Sequence, residues 1–211
     1  MPGVSEQMAV PAAMPVLARG KHRSPRRGAC FLEYTSLLAG EPFSDEPRCV
    51  DEELAAILRG ANDKLANRDR HRLVPLLGRA IGLTVEPPLP GSPPGHSSAA
   101  RRQRRAALAA HDARTAQLHR AVTRRFVAAV GPSTAPPPVR YGGGGDLFWL
   151  FWDLMSEPHQ PAGSEGYVSR LVERLELLHE CYEQAMDELG LPRARPAGPA
   201  LGSEGPLIPL R

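Results

Sequence analysis

The residues best suited to chemistry lie in one stretch, residues 28–49, with the sequence GACFLEYTSLLAGEPFSDEPRC. Five polar side chains in this stretch could bind a ligand or a substrate: Glu33, Glu41, Ser44, Asp45 and Cys49. Carboxylates serve as general acids and bases or as metal ligands, and a thiolate serves as a nucleophile. Glu33 stands between Leu32 and Tyr34, and a carboxylate buried there needs a partner, or its pKa rises.

Three uses of this cluster remain open: a structural network that fixes the turn, ligand binding, and metal binding or catalysis. A mixture of hard carboxylate oxygens and a soft thiolate fits no common metal signature. Arginines at positions 48, 59 and 79 are available as partners for the carboxylates. We therefore favour the structural network and expect neither a metal nor another cofactor.

The three cysteines are Cys30, Cys49 and Cys181, too few for a disulfide framework. Cys49 follows Arg48 and precedes a predicted helix, and both features lower the pKa of a thiol. No His or Asn follows at a recognisable protease spacing, so we expect Cys49 to be buried and inert. Free cysteines are typical of a reducing compartment, which predicts a cytoplasmic location.

A basic cluster is the second candidate site. Four arginines open the predicted helix over residues 98–130: Arg101, Arg102, Arg104 and Arg105. Clustered positive charge is what phosphate contact requires, which keeps nucleic acid open as a partner. The helix has few aromatic residues for base stacking, however, and residues 165–188 are rich in carboxylates. We favour pairing of this helix with an acidic helix, either within the chain or in a protein partner.

Three other patterns are less informative about function. The run 142–145 consists of four glycines, but the Lys-Ser/Thr that follows in a phosphate-binding loop is missing, so it predicts a linker. His111 and His119 are eight residues apart, too far to share an ion. His179 and Glu183 are four residues apart, which predicts a surface pair on a helix.

The helices that apolar periodicity predicts must position these side chains. Apolar residues recur three and four positions apart over six segments: 29–39, 51–65, 68–83, 98–130, 146–155 and 167–189. Asp51 is the predicted N-cap of the second segment. Pro75 either lies in the first turn of the third or kinks it. The alternation of Val, Ile or Thr that predicts strands is missing.

The fifth segment, DLFWLFWDLM, has almost no polar face, so it must be buried on all sides or be offered to a partner. Its candidate interface residues are Phe148, Trp149, Phe151 and Trp152. The longest apolar run, residues 147–152, is far shorter than the roughly 20 residues of a membrane helix. We therefore expect no membrane association, and nothing near the N-terminus has the pattern of a secretory signal.

Composition separates a domain from its flanks. The 211 residues include 23 prolines and 20 glycines, concentrated in a few places, and carry a formal net charge of +3. Residues 1–27 predict a disordered basic tail and residues 191–211 a second disordered tail. The helical domain spans residues 28–190 and contains two predicted hinge loops, at 86–97 and 131–145.

The motif residues also carry a resemblance. The pieces Cys30-Phe31-Leu32-Glu33, Ala39-Gly40-Glu41, Phe43-Ser44-Asp45 and Pro47-x-Cys49 resemble a pattern in short bacterial proteins of unknown function. In that pattern Cys-Leu-Met-Glu precedes Ala-Gly-Glu-x-Trp-Ser-Asp-His-Pro-x-Cys. The likeness covers roughly residues 28–130, with Phe43 in place of Trp and Glu46 in place of His. It implies a shared helical domain and a bacterial origin, and no reaction.

These observations predict an all-α fold, an irregular bundle of five to six helices between disordered, Pro/Gly-rich ends. The leading functional hypothesis is a non-enzymatic, cytoplasmic interaction or regulatory protein with a protein partner or a homo-oligomeric state. The first alternative is a metal- or ligand-dependent enzyme that uses Glu33, Glu41 and Asp45. The second is nucleic-acid binding through the arginine-rich helix.

Overall fold

The computed structural model describes residues 16–88, 98–131, 145–156 and 159–193. Within these residues the chain forms six α-helices and two short 3-10 turns, and no strand, so the predicted all-α fold is confirmed. The helices are α1 Phe31–Leu38, α2 Glu52–Lys64, α3 Val74–Ala80, α4 Ser98–Val130, α5 Asp146–Met155 and α6 Glu165–Glu188. All six contribute side chains to one apolar core.

Side-chain caps determine where α1 and α2 begin. At α1 the Cys30 sulfur accepts a hydrogen bond from the Glu33 N–H, and the Glu33 carboxylate accepts one from the Cys30 N–H. This reciprocal capping box satisfies two N–H groups that the helix itself leaves unpaired. At α2 the predicted cap is confirmed, because the Asp51 carboxylate accepts from the N–H groups of Glu53 and Leu54.

The third helix is shorter than predicted. Residues 70–73 form a 3-10 turn, and α3 follows with Pro75 in its first turn, where the missing N–H costs nothing. The segment after α3 returns to the start of α2. There the Asp51 N–H donates to the Leu83 carbonyl at 2.9 Å, and Val50 and Leu83 form an isolated parallel bridge.

Only the second half of α4 belongs to the core. Its buried residues are Leu118, Ala121, Val122 and Phe126, and this half packs along α6. Residues 101–110 are exposed at every position. At 1.5 Å per residue, about 30 Å of helix precedes the first buried side chain.

Helix α5 lies against α2 and α4. The Phe151 ring is fully buried and stacks on Phe126, with 5.8 Å between ring centroids. The Trp152 ring lies against Gly60 of α2, where a Cβ would come within 2.8 Å of the indole. Lys64 places its ammonium 5.0 Å from the centre of the same ring, a cation–π contact.

The predicted N-terminal tail is wrong for residues 16–27, which contact the domain. Leu17 and Ala29 form a parallel bridge, and residues 25–27 form a 3-10 turn. The Asn62 side chain donates to the Ala18 carbonyl at 2.9 Å. These backbone and side-chain bonds were not predictable from periodicity, because the segment has none.

Several predicted boundaries lie outside the described residues. They include residues 1–15 of the first tail, most of the two hinge loops (89–97 and 132–144), and residues 194–211 of the second tail. Leu191, predicted to be in that second tail, donates its N–H to the Met186 carbonyl and packs against the core. Among the helices that the structure describes, none is both long and apolar enough to cross a membrane.

Candidate functional site

Glu33, the first candidate carboxylate, is buried and fully engaged. Its side chain is 1% exposed and accepts hydrogen bonds from the Cys30 N–H and from His22 Nδ1, both at 2.8 Å. His22 comes from the segment expected to be disordered, so sequence reasoning missed this partner. The arrangement fixes residues 20–30 against α1 and leaves Glu33 capping a helix.

Glu41, Ser44 and Asp45 of the predicted cluster form hydrogen bonds or ion pairs with other partners. Glu41 accepts from the Arg48 N–H at 2.8 Å, and the Ser44 hydroxyl accepts from the Glu46 N–H at 3.1 Å. Asp45 pairs with Lys21 at 2.6 Å. Burial alone would raise the pKa of Asp45, but the Lys21 bond and charge lower it below its usual value.

All three thiols are free and buried. Burial raises the pKa of Cys49 to about 12, and the Glu41 carboxylate beside it adds to the rise. The influence expected from Arg48 and the helix N-terminus is therefore outweighed. Burial likewise raises the pKa of Cys30 to about 12 and that of Cys181 to about 11. Thiols with such values are protonated at neutral pH and are poor nucleophiles.

The polar groups of the five candidates are thus engaged mainly by backbone N–H groups and by side chains outside the predicted cluster. Glu33, Glu41 and Asp45 each have a different partner and do not converge. In the part of the chain that the structure describes, no three His, Cys, Asp or Glu side chains are arranged to hold a metal ion.

A second polar cluster, absent from the sequence predictions, joins α2, α4 and α6. His119 of α4 donates from Nε2 to Asp51 at 2.8 Å and from Nδ1 to Glu53 at 3.2 Å. The Tyr182 hydroxyl of α6 donates to Asp51 at 2.8 Å. Asp51 is 3% exposed and Tyr182 is fully buried, so these bonds lie in a region of low dielectric.

The charge state of His119 follows from this geometry. Burial alone would lower its pKa, but the hydrogen bonds and charges of Asp51 and Glu53 raise it to about 10. The imidazole is therefore a cation at neutral pH, held between two carboxylates. Burial and the Asp51 charge also raise the pKa of Tyr182 well above its usual value, which keeps the phenol protonated as a donor.

Glu53 extends the cluster to α5. Its second carboxylate oxygen accepts from the N–H groups of Leu147 at 2.9 Å and Phe148 at 3.1 Å. Those N–H groups belong to the first turn of α5, which its own N-cap, Gly145, cannot satisfy with a side chain. Any Cβ at position 145 would overlap the Glu53 carboxylate, so the glycine permits this close approach. Four helices are thereby tied together through His119 and two carboxylates.

A cleft of about 680 Å³ opens beside this cluster, between α2 and α4. Arg59, Thr115 and His119 line it together with Glu53. Arg59 reaches across to donate to the Asp45 carbonyl at 2.9 Å. Both nitrogens of His119 and both oxygens of Glu53 are already bonded, so the cluster presents few open hydrogen-bonding positions to the cleft.

The predicted surface pair on α6 is wrong. His179 is fully buried, and its Nδ1 donates to the Leu175 carbonyl at 2.6 Å. Burial lowers the pKa of His179 to about 4, so it is a neutral core residue. Glu183 instead forms a two-pronged pair with Arg79 of α3, with both N–O distances at 3.1 Å. A spacing of four residues predicts proximity but does not say which helix face is buried.

The candidate apolar interface on α5 is divided. Phe151 is inside the core, whereas Phe148, Trp149 and Trp152 are partly exposed. Phe148 contacts Trp149 edge to face, with centroids 5.3 Å apart. Much of the apolar surface of α5 is thus used within the chain, and a partner for the remaining rings stays a prediction.

The four arginines of the basic cluster remain open to solvent. Arg101, Arg102, Arg104 and Arg105 are exposed, and none pairs with a carboxylate among the described residues. The predicted pairing of α4 with the acidic α6 occurs at the other end of the helix, where Arg125 contacts Glu188 at 2.6 Å. We refer to residues 98–117, which precede the buried part of α4, as the basic arm.

Comparisons with protein-family models, with curated proteins and with solved structures each gave no match to this chain.

Proposed function

We propose that this chain is a non-enzymatic, cytoplasmic protein-interaction protein whose basic arm binds an acidic protein surface. The supporting observation is the arm itself: a regular helix of about 30 Å that carries four exposed arginines and precedes the first buried residue, Leu118. Residues 101–110 of the arm are exposed at every position and contribute little to the fold, so their arginines are available to a partner.

Physical chemistry explains how the arm forms and what it would bind. Ala and Arg are strong helix formers, and extension from the packed half of α4 avoids the cost of nucleation. The arginines stand at the positive end of the helix dipole, where cations are unfavourable. An acidic partner would remove both this penalty and the mutual repulsion of the arginines.

The enzyme alternative depended on convergence of Glu33, Glu41 and Asp45. Each of these carboxylates is engaged by a different partner, so the feature that motivated the alternative is weakened. The motif that resembles bacterial proteins of unknown function contains these same residues. We propose that the shared motif encodes the α1 cap and the turn after it, and that this chain also has a bacterial origin.

Nucleic acid is the second candidate partner, because clustered arginines also suit phosphates. The exposed arm contains no Phe, Tyr or Trp on which a base could stack. This composition favours an acidic protein over single-stranded nucleic acid and leaves duplex backbone contact as the competing mode. Three free thiols support the cytoplasmic location.

A fluorescence anisotropy titration tests the proposal. The probes are a labelled polyglutamate peptide and a labelled RNA duplex, each titrated at low and high salt. We expect the peptide to bind at low salt and to be released by high salt. The double variant Arg101→Gln with Arg105→Gln should weaken binding about tenfold, as expected for the loss of two exposed ion pairs.

The matched control is Arg26→Gln with Arg68→Gln, which removes the same charge from exposed positions outside the arm. We expect little change in peptide affinity for this control. Equal weakening in both variants would mean that net charge, and not the arm, drives binding. Salt-sensitive binding of the duplex without binding of the peptide would replace the proposal with nucleic-acid recognition.

A further inference from the structure

The exposed side of α6 carries a line of carboxylates. Glu173, Glu176 and Glu180 are three and four residues apart, so they share one face of the helix, and all three are exposed. Glu183 and Glu188 of α6 pair directly with Arg79 and Arg125, and the charge of Arg79 also lies near Glu176 and Glu180. We call these three residues the acidic line.

The basic arm has the complementary pattern. Arg101, Arg104 and Arg105 lie three and four residues apart on one face of α4, and Leu108, 44% exposed, continues that face. The distance from Arg101 to Leu108 is seven residues, the same as from Glu173 to Glu180. At 1.5 Å per residue, each face is about 10 Å long.

Within one copy the basic arm cannot contact the acidic line. The arm is continuous with the half of α4 that already packs along α6, and the carboxylates are on the solvent side of α6. A straight helix would have to fold back on itself to bring Arg101 to Glu173. Contact between these two faces therefore requires another molecule.

Resting on the proposed function, we infer that the acidic partner is a second copy of this chain, whose acidic line receives the basic arm. The basic arm of each copy would contact the acidic line of the other, so that each face is used once and the two copies form a two-fold symmetric dimer. The alanines of the arm allow close approach of the two helices, and Leu108 supplies an apolar contact at the end of the charged face.

Sedimentation equilibrium of the full chain tests this inference. At low salt we expect twice the chain mass of 22.8 kDa, and at high salt a shift toward the monomer. Arg101→Glu with Arg105→Glu makes the arm acidic, and Glu173→Arg with Glu180→Arg makes the line basic. Each double variant alone should be monomeric, and an equimolar mixture of the two should form a heterodimer, because both exchanged contacts again pair opposite charges.

The control Arg26→Glu with Arg68→Glu makes the same change in net charge at exposed positions outside both faces, and it should remain dimeric. Circular dichroism checks that every variant keeps its helical content. A monomeric wild type, or a mixture that fails to associate, would overturn the second-copy assignment. The peptide titration tests the proposed function separately. A monomeric chain whose arm binds polyglutamate would refute only the second-copy inference. A monomeric chain that does not bind the peptide would refute both the inference and the proposed function.

Discussion

Removal of the His119 cation should destabilise the fold more than any surface histidine substitution. His119→Gln leaves Asp51 and Glu53 without the positive charge that bridges them. Breaking a buried charge pair from one side typically costs about 3–5 kcal/mol. A pKa rise from 6.5 to about 10 corresponds to about 5 kcal/mol at roughly 1.4 kcal/mol per pH unit, an upper limit for the same interaction.

The carboxylates keep other donors in this variant, which reduces the cost. Asp51 retains the Tyr182 hydroxyl, and Glu53 retains the N–H groups at the start of α5. We therefore expect a loss of about 3 kcal/mol in the free energy of unfolding. Urea titration followed by tryptophan fluorescence measures it, and both tryptophans, Trp149 and Trp152, are in α5 beside the cluster.

The same cation predicts the pH dependence of stability. Because the pKa of His119 is raised in the folded state, its contribution is fully present below about pH 6.5 and is lost as the pH rises toward 10. Wild-type stability should therefore decline over that window, and the variant should show a smaller decline. The control is His71→Gln, at an exposed position. A loss below about 1 kcal/mol for His119→Gln, or one equal to the control, would refute the bridging role.

Two further predictions concern the buried polar groups. Glu53→Ala should lower the free energy of unfolding by about 2 kcal/mol, because it removes the acceptor for two N–H groups of α5. Hydrogen exchange should then become faster in residues 146–155, and unchanged exchange there would contradict the cap. The three thiols should react with a disulfide reagent slowly at pH 8 in the folded chain and rapidly in urea. The reason is that burial raises the pKa of each thiol to about 11 or 12. Rapid labelling of the folded chain would contradict the burial of these cysteines.

The helices were largely predictable, because their signals are local. Asp51 followed by two glutamates marks the start of α2, and the bounds of α4 and α5 agree with the residues predicted from composition and apolar spacing. Residues 68–83 were predicted as a single helix, but the chain there forms a 3-10 turn and a shorter α3. The cost of Pro75 in a helix interior explains why α3 starts so close to it.

The polar contacts were not predictable, because they join distant parts of the chain. His119 and Asp51 are 68 residues apart, and His22 reaches Glu33 from a segment without periodicity. One signal for His119 does exist: it follows the buried Leu118 and precedes Val122, so it lies at the edge of the buried stripe of α4. A histidine at that position needs a partner from another helix, but spacing alone cannot name it.

The exposure of the arm is explained by its missing apolar stripe, a feature whose meaning became clear only once the fold was known. Residues 98–117 have the alanine and arginine content of a helix, but they lack the apolar stripe that would anchor them to a core. Helix propensity predicted the element, and only its position relative to the core revealed that residues 101–110 extend into solvent.

Hydrogen–deuterium exchange along α4 tests the central claim most directly. In dilute chain, residues 98–117 should exchange faster than residues 118–130, because only the latter have side chains in the core. Addition of the polyglutamate peptide should slow exchange in residues 98–117 and leave residues 118–130 unchanged. Unaltered exchange in the arm, or slowing confined to other helices, would contradict the claim that the basic arm is the binding element.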